Sequence, residues 1–345
     1  MSRTIGTDLA RERAEPLSVL NLTTSADAVF YRLQVESLEE RGVECETLAV
    51  PGEADGRNED VNRSPVDYVR FFPKVWRELA RRDYDLVHAN YGLTAPHALA
   101  QSKVPVVLSL WGTDVYGPFG WVSKLSSPRC DAVVVMSDPL GREIPADYTV
   151  IPHGIDLDQF EPMPRGAARR ALDWTSRGHH VLFPAPVARE EKDFPRARRV
   201  VRCARDRLSD PVVLHTPDGD VSHERMPVWM NAADAMLLTS RHEGFPNTVK
   251  EALACNLPVV STDVGSVGER LAPVSQCVVG RTDAELVDGL VRVLQSGGRS
   301  DGRETVADLD HRRVAERLEA VYRRVLDESG DTNGSHPAAG PSGGD

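Results

Sequence analysis

The sequence predicts an α/β protein made of two doubly wound halves joined by a linker. Three observations carry this reading. Short apolar runs alternate with helix-like stretches through the first 136 residues. The alternation stops at 151–178, a stretch with three prolines and no apolar run of strand length, and it restarts at 181. Strands that alternate with helices form parallel sheets covered on both faces, and their strands read as continuous apolar runs.

In chain order, the apolar runs 17–22, 43–50, 85–90, 105–110 and 131–136 read as buried strands. Helical candidates lie between them near 27–41, 66–82 and 92–101. The polar stretch 51–65, rich in Gly, Pro and Asn, reads as a surface loop. In the second half the strands are 181–185, 211–216, 235–240, 258–262 and 276–280. Its helices are expected near 194–208, 225–232, 247–256 and 283–296. A last helix over 303–328 carries Val306, Leu309, Val314, Leu318, Val321 and Val325 at helical spacing. The tail from 329 lacks an apolar pattern and is expected to be disordered. The resulting division is a first domain over 1–150, a linker over 151–178, a second domain over 179–302, the last helix and the tail 329–345. In open α/β sheets ligands bind at the carboxyl ends of strands, so the cleft between the halves is the expected site.

Composition bounds the function. With 345 residues, 41% of them hydrophobic and 27% charged, the chain can bury a sizeable core without disulfides or metal staples. The net charge of −11 disfavours a nucleic-acid binder, whose binding domain would be basic. No apolar run approaches the ~18–20 residues of a membrane span, and the first 16 residues are polar and charged, which points to a cytoplasmic protein. The five cysteines are scattered and never spaced C-x-x-C, so free thiols are expected. The dinucleotide, P-loop and zincin signatures are absent. Four D-x-D pairs occur, at Asp83/Asp85, Asp156/Asp158, Asp218/Asp220 and Asp308/Asp310, and are read as solvated charges.

The informative segment is 233–270. A strand ends at Thr239 and Ser240, a loop holds Glu243, Gly244, Phe245 and Pro246, and a helix starts near Asn247. Free amides at a helix start bind anions, helped by about half a positive charge from the helix dipole. Asn247, Thr248 and Val249 would supply those amides, and Gly244 would let the backbone approach a ligand closely. Glu243 in the loop and Glu251 a turn into the helix put carboxylates on either side of the phosphate. Taken singly, Glu243 could be a helix-start acid and Glu251 a solvated helix carboxylate.

This segment resembles the donor-site signature of glycosyltransferase family 4, retaining enzymes of the GT-B fold. Two glutamates eight positions apart (Glu243, Glu251) are followed by a helix, a small-residue turn, the strand Pro258, Val259 and Val260, and a Gly-rich turn at 265–269. The stretch 150–162, VIPHGIDLDQFEP, is similar to the family's interdomain segment, and the likeness covers roughly 85–325, more weakly in the first half. The resemblance implies two Rossmann-like domains facing a central cleft and a nucleotide-diphosphate sugar donor. In that reading Glu243 lies beside the transferred sugar, and the Gly244 and Phe245 amides touch its hydroxyls. Asn247, Thr248 and Val249 hold the distal phosphate, and Glu251 bonds the ribose.

The family places an Arg and a Lys after the first strand of the second domain. Lys192 matches the Lys, whereas the Arg position holds Pro186 or Val187, with Arg189 able to reach instead. Two cations and a helix terminus can replace a metal, so no metal or further cofactor is implied. In the first domain the family's Gly-Gly loop is missing, and its His-Gly-[Ser/Thr]-Asp loop reads Trp111, Gly112, Thr113, Asp114. Trp111 could stack on an acceptor sugar or fill the cleft wall, with Gly112 beside it. Asp114, and His88 at a strand end facing the cleft, are the polar candidates for catalysis beside Glu243. His153 in the interdomain segment is similarly placed.

The helix 67–82 carries Arg70, Lys74, Arg77 and Arg81 on one face and Val69, Phe72, Trp76 and Leu79 on another. It is either an ordinary sheet-covering helix or a peripheral membrane contact, and Pro73 could split it. A second Arg-rich helix, at 194–208, reads as a solvated face. The implied function is transfer of a hexose from a UDP- or GDP-sugar to a glycan or lipid-linked hydroxyl in cell-surface glycan synthesis. The alternatives are a nucleotide-sugar epimerase of the same fold and a non-catalytic subunit that keeps the donor fold.

Overall fold

A computed structural model describes residues 16–54, 61–217, 221–243 and 245–333. The first domain holds strands β1 (Ser18–Thr23), β2 (Glu44–Ala49), β3 (Glu53–Ala54), β4 (Val61–Asn62), β5 (Leu86–Asn90), β6 (Val106–Leu110), β7 (Ala132–Val135) and β8 (Thr149–Val150). Its helices are α1 (Val29–Glu40), α2 (Pro65–Arg81), α3 (Ala95–Ala98), α4 (Thr113–Tyr116), α5 (Gly120–Ser126) and α6 (Asp138–Gly141). Six strands form one sheet in the order β2-β1-β5-β6-β7-β8, every pair parallel. β5, β6 and β7 are buried along their whole length, as strands covered on both faces must be. β3 and β4 pair antiparallel, so the stretch read as a loop carries a short hairpin.

Residues 151–178, expected as a linker, do more than connect. Ile155 and Phe160 are buried in the second domain's core. Helix α7 (Arg165–Ala171) follows, and its Arg169 is buried, donating to Asp234 (2.6 Å) and to the carbonyl of Ala232 (3.0 Å). Pro162 and Pro164 just before it, and the arginines within it, hid this helix from a search for apolar periodicity. The second sheet consists of β9 (His179–Leu182), β10 (Val212–His215), β11 (Ala235–Leu238), β12 (Val259–Thr262) and β13 (Val278–Gly280) in the all-parallel order β10-β9-β11-β12-β13. It is covered by α8 (Phe194–Arg205), α9 (Met226–Ala232), α10 (Asn247–Ala254), α11 (Val267–Leu271) and α12 (Asp283–Ser296). A capping box of Thr282 and Glu285 starts α12 and a left-handed Gly297 ends it.

The last helix is broken. α13 (Gly302–Thr305) is one turn, and α14 (His311–Asn333) runs past the expected end at 328. Residues 334–345, the rest of the expected tail, lie outside the described residues. α14 returns to the first domain, where Val314, Leu318, Val321, Tyr322 and Val325 join its core. Where the chain returns, Ile155 N donates to Leu309 O at 2.9 Å and His311 N donates to Ile155 O at 3.0 Å. A Cβ on Gly154 would lie 2.6 Å from the His311 Cα, so only glycine allows the two crossings to touch.

Each sheet reverses its winding once, between β1 and β5 and between β9 and β11. Such switch points leave a crevice at the strands' carboxyl ends. Helix α2 is unbroken at Pro73. Its core-facing side is Phe71, Val75 and Leu79, while Val69 and Trp76, expected on one apolar face with Leu79, are exposed. Among the described residues no helix is long and apolar enough to cross a membrane. Cys45, Cys130, Cys203, Cys255 and Cys277 are free.

Candidate donor site

The second switch point gathers most of the residues expected to carry the chemistry. After β9 the chain makes a tight turn through Glu190–Lys192, and Asp193 takes a left-handed conformation (φ 48°) to cap α8 by accepting from Arg196 N at 3.2 Å. Thr239, at the end of β11, holds this turn from the neighbouring strand: its hydroxyl donates to the carbonyls of Lys192 (2.9 Å) and Asp193 (3.0 Å). The Arg241 amide adds a bond to the Glu191 carbonyl at 2.8 Å. The two loops are thereby held in one geometry. Lys192 Nζ reaches Glu243 Oε1 at 2.5 Å, and Ser240 Oγ donates to the same oxygen at 2.7 Å. Both members of the ion pair are mostly buried. Lys192 and Glu243 therefore neutralise one another. Arg189 is exposed and paired with Glu191 at 2.6 Å, in its own loop.

Helix α10 begins at Asn247 behind Pro246, which offers no side-chain cap. Proline has no amide and no hydrogen-bonding side chain, so the helix start lacks the satisfaction that a Ser or Asp would give it. Asn247 and Thr248 sit there partly exposed. Val249 departs from expectation: its amide already donates to the Pro246 carbonyl (3.1 Å) and its side chain is buried in the core, so it is a packing residue. Phe245 is likewise in the core by its ring, and Gly244 lies outside the described residues. Glu251 is 7% exposed and bonded at 2.9 Å to His223 Nε2. Burial pulls the His223 imidazole down, but the hydrogen bond and charge of Glu251 outweigh it and hold it above the ordinary histidine value. The sequence reading missed His223. It lies in the stretch leading into the site, but nothing local marks it as a partner of a glutamate 28 residues on.

The first-domain candidates fare differently. Asp114 is a loop pin. Its carboxylate, buried, accepts from the amides of Gly92 (2.9 Å), Trp111 (3.0 Å) and Gly112 (2.7 Å), tying the turns after β5 and β6 together. Burial pushes its carboxyl up to about 6, against the pull of those amides. Gly112 sits at φ 130°, which this turn requires and side chains rarely adopt. His88 is corrected too. It lies within β5 with no exposure, bonded to Tyr322 Oη and Ser109 Oγ, both at 2.7 Å, so it faces the core under α14 and not the cleft. Burial brings its pKa down to about 3. Trp111 is half-buried among aromatic rings. Phe30 (4.9 Å), Tyr91 (5.6 Å) and His153 (5.6 Å) surround its ring, favouring the cleft-wall role. Of the D-x-D residues, Asp85 accepts from the Ser18 amide and Asp156 from those of Asp158 and Gln159, while Asp218 and Asp220 lie outside the described residues.

Known proteins share the fold, and two family models match the chain. The family model "Glycosyltransferase Family 4" matches residues 29–159 and "Glycosyl transferases group 1" matches 193–296, together well over half the chain. TuaC of Bacillus subtilis, named as a teichuronic acid biosynthesis glycosyltransferase, is 28% identical over 57% of this chain, a match that spans 58% of TuaC. A D-inositol 3-phosphate glycosyltransferase of Mycobacterium leprae is 29% identical over 76% of this chain and 75% of its own. Among solved structures, sucrose-phosphate synthase from Thermosynechococcus elongatus superposes with a TM-score of 0.71 over 90% of this chain and all of that one, at 18% identity. Anabaena Alr3699/HepE, solved with UDP and glucose, gives 0.66 over 89% of this chain and all of its own, at 13% identity, a likeness of fold alone. With two parallel-sheet domains, the paired glutamates at the second switch point and both family models in place, the chain belongs to glycosyltransferase family 4, of the group 1 type and the GT-B fold.

Proposed function

We propose that the chain is a retaining hexosyltransferase that takes a UDP- or GDP-sugar as donor and a glycan or lipid-linked hydroxyl as acceptor in cell-surface glycan synthesis. The observation that carries this reading is the convergence of Lys192, Glu243, Glu251 and the uncapped start of α10 on one switch point. The amides of Asn247 and Thr248 and the Lys192 ammonium would hold the diphosphate, and Glu251 the ribose. Glu243 would orient the sugar and stabilise positive charge on it. Retention is read as front-face attack. The bond from the anomeric carbon to the phosphate oxygen breaks, the bond to the acceptor oxygen forms on the same face, and the acceptor's proton passes to the departing phosphate oxygen. Cations and amides that stabilise the leaving charge let this proceed without a metal.

Calorimetric titration with UDP, GDP and ADP in the presence of EDTA tests the donor assignment. One nucleotide is expected to bind, and to bind about tenfold more weakly to Glu251→Ala and to Lys192→Ala, the loss of one charge-assisted contact each. Failure of all three nucleotides to bind sinks the donor assignment. A non-catalytic subunit is the second reading, favoured by the burial of Asp114 among backbone amides and of His88 in the core. Turnover by the purified single chain excludes it.

The acceptor side is proposed to rest on an anionic membrane surface. Helix α2 exposes Val66, Val69 and Trp76 beside Arg70, Lys74, Arg77 and Arg81, and the α4–α5 segment exposes Tyr116, Phe119, Trp121 and Leu125. Exposed aromatics with basic neighbours suit the lipid headgroup layer. The chain is expected to sediment with phosphatidylglycerol vesicles and not with phosphatidylcholine vesicles, and Trp76→Ala with Trp121→Ala should release it. Equal behaviour on both vesicles would remove the membrane from the proposal.

A further inference from the structure

We propose that Lys250 is a positioning residue: it ties the start of the donor helix to the interdomain connection, so that the first domain's aromatic clamp on His153 sets the geometry of the donor site. This rests on the donor reading above.

Lys250 stands one turn into α10 and is 1% exposed. Its ammonium donates to the backbone carbonyl of His153 (2.9 Å) and to Asn247 Oδ1 (3.0 Å), and lies 5.1 Å from the centre of the Phe245 ring. Two of these partners, Asn247 and Phe245, belong to the loop and helix start that would meet the donor. The third, His153, belongs to the connection. The His153 imidazole is in turn stacked on Phe30 of the first domain, 4.1 Å between centroids and 14° between planes, with Trp111 edge-on at 5.6 Å. A continuous path of contacts therefore runs from the start of α1 and the turn after β6, through His153 and Lys250, to Asn247.

A buried ammonium is costly, several kcal/mol before its bonds offset the loss of water. A methionine would fill the same space without that cost, so packing alone does not call for lysine here. The bonds from Lys250 are what a methionine cannot supply. Burial brings its pKa down to about 7, the mark of an ammonium held by geometry at the expense of its own solvation. Glu251, whose charge acts on Lys250, is itself bonded to His223, and the hydrogen bonds of the ammonium go to His153 and Asn247.

The test is a double-mutant cycle read by nucleotide affinity in the full chain, with thermal unfolding to verify folding. Lys250→Met should weaken binding of the cognate nucleotide about tenfold, the scale of a coupling between sites. Phe30→Ala, in the other domain and outside the proposed nucleotide contacts, should also weaken it. The double variant should bind no worse than Lys250→Met alone, because the path is already cut. Additive losses, or folded variants with wild-type affinity, would overturn the inference while leaving the donor site standing. If Lys250→Met does not fold, Phe30→Ala decides: unchanged affinity there overturns the inference. A wild-type chain that binds none of UDP, GDP or ADP overturns the donor reading itself, and this inference with it.

Discussion

Replacement of Glu243 by glutamine is expected to lower turnover by about 10²–10³, or ~3–4 kcal/mol of barrier, with nucleotide affinity changed far less. The expectation follows from where the carboxylate sits. Ser240 and Lys192 both donate to Oε1, which holds the group in a fixed position beside the proposed phosphate site. A carboxylate held in place before positive charge develops on the sugar stabilises the transition state without having to reorganise. A neutral amide of the same shape keeps the position and loses the charge. Turnover and nucleotide affinity, measured separately with the donor that titration identifies, distinguish this from a binding role. A drop in affinity with turnover at saturation intact would show that Glu243 serves binding only, and wild-type behaviour in both would remove it from the site.

The second large effect concerns stability in acid. His88 is enclosed between β5, β6 and α14 with both ring nitrogens bonded, and its pKa is brought down to about 3 by burial. In the unfolded chain it titrates near the ordinary ~6.5. Between these values the unfolded state binds a proton that the folded state does not. Stability is therefore full above pH 6.5 and is lost as pH falls towards 3, by about 1.4 kcal/mol per pH unit, or ~3 kcal/mol by pH 4. Urea unfolding of wild type and His88→Gln at pH 7, 5.5 and 4 checks it. The wild type should lose stability more steeply than the variant. Parallel pH profiles would show that His88 is not the group responsible.

The same residue shows where the sequence stops being readable. On β5 both faces are buried, so the alternation that tells inside from outside is missing, and His88 reads equally well towards the cleft or away from it. Its partner Tyr322 is 234 positions away, on a helix that leaves the second domain to cover the first. Asp114 misled in another way. An acid in a loop after a strand suggests a site, but three backbone amides had already claimed it. Nothing in the sequence singles out Lys250, since a charge in a helix usually faces water. Only the crossing of the interdomain connection above α10 gives it a carbonyl to bond.

What the sequence determined by itself is the local grammar. The strand–loop–helix of β11 and α10, with Glu243 and Glu251 eight positions apart, is legible because all its parts lie within one short segment whose geometry follows from helix and turn rules. The alternation of strands and helices determined the two-domain α/β class for the same reason. Which side chains meet across the fold was decided by tertiary structure alone. The pairing of Lys192 with Glu243, of His223 with Glu251 and of Lys250 with His153 depends on how sheet order and the return of α14 bring distant segments together. No short-range pattern encodes that order, because it is set by the sum of weak contacts over both cores.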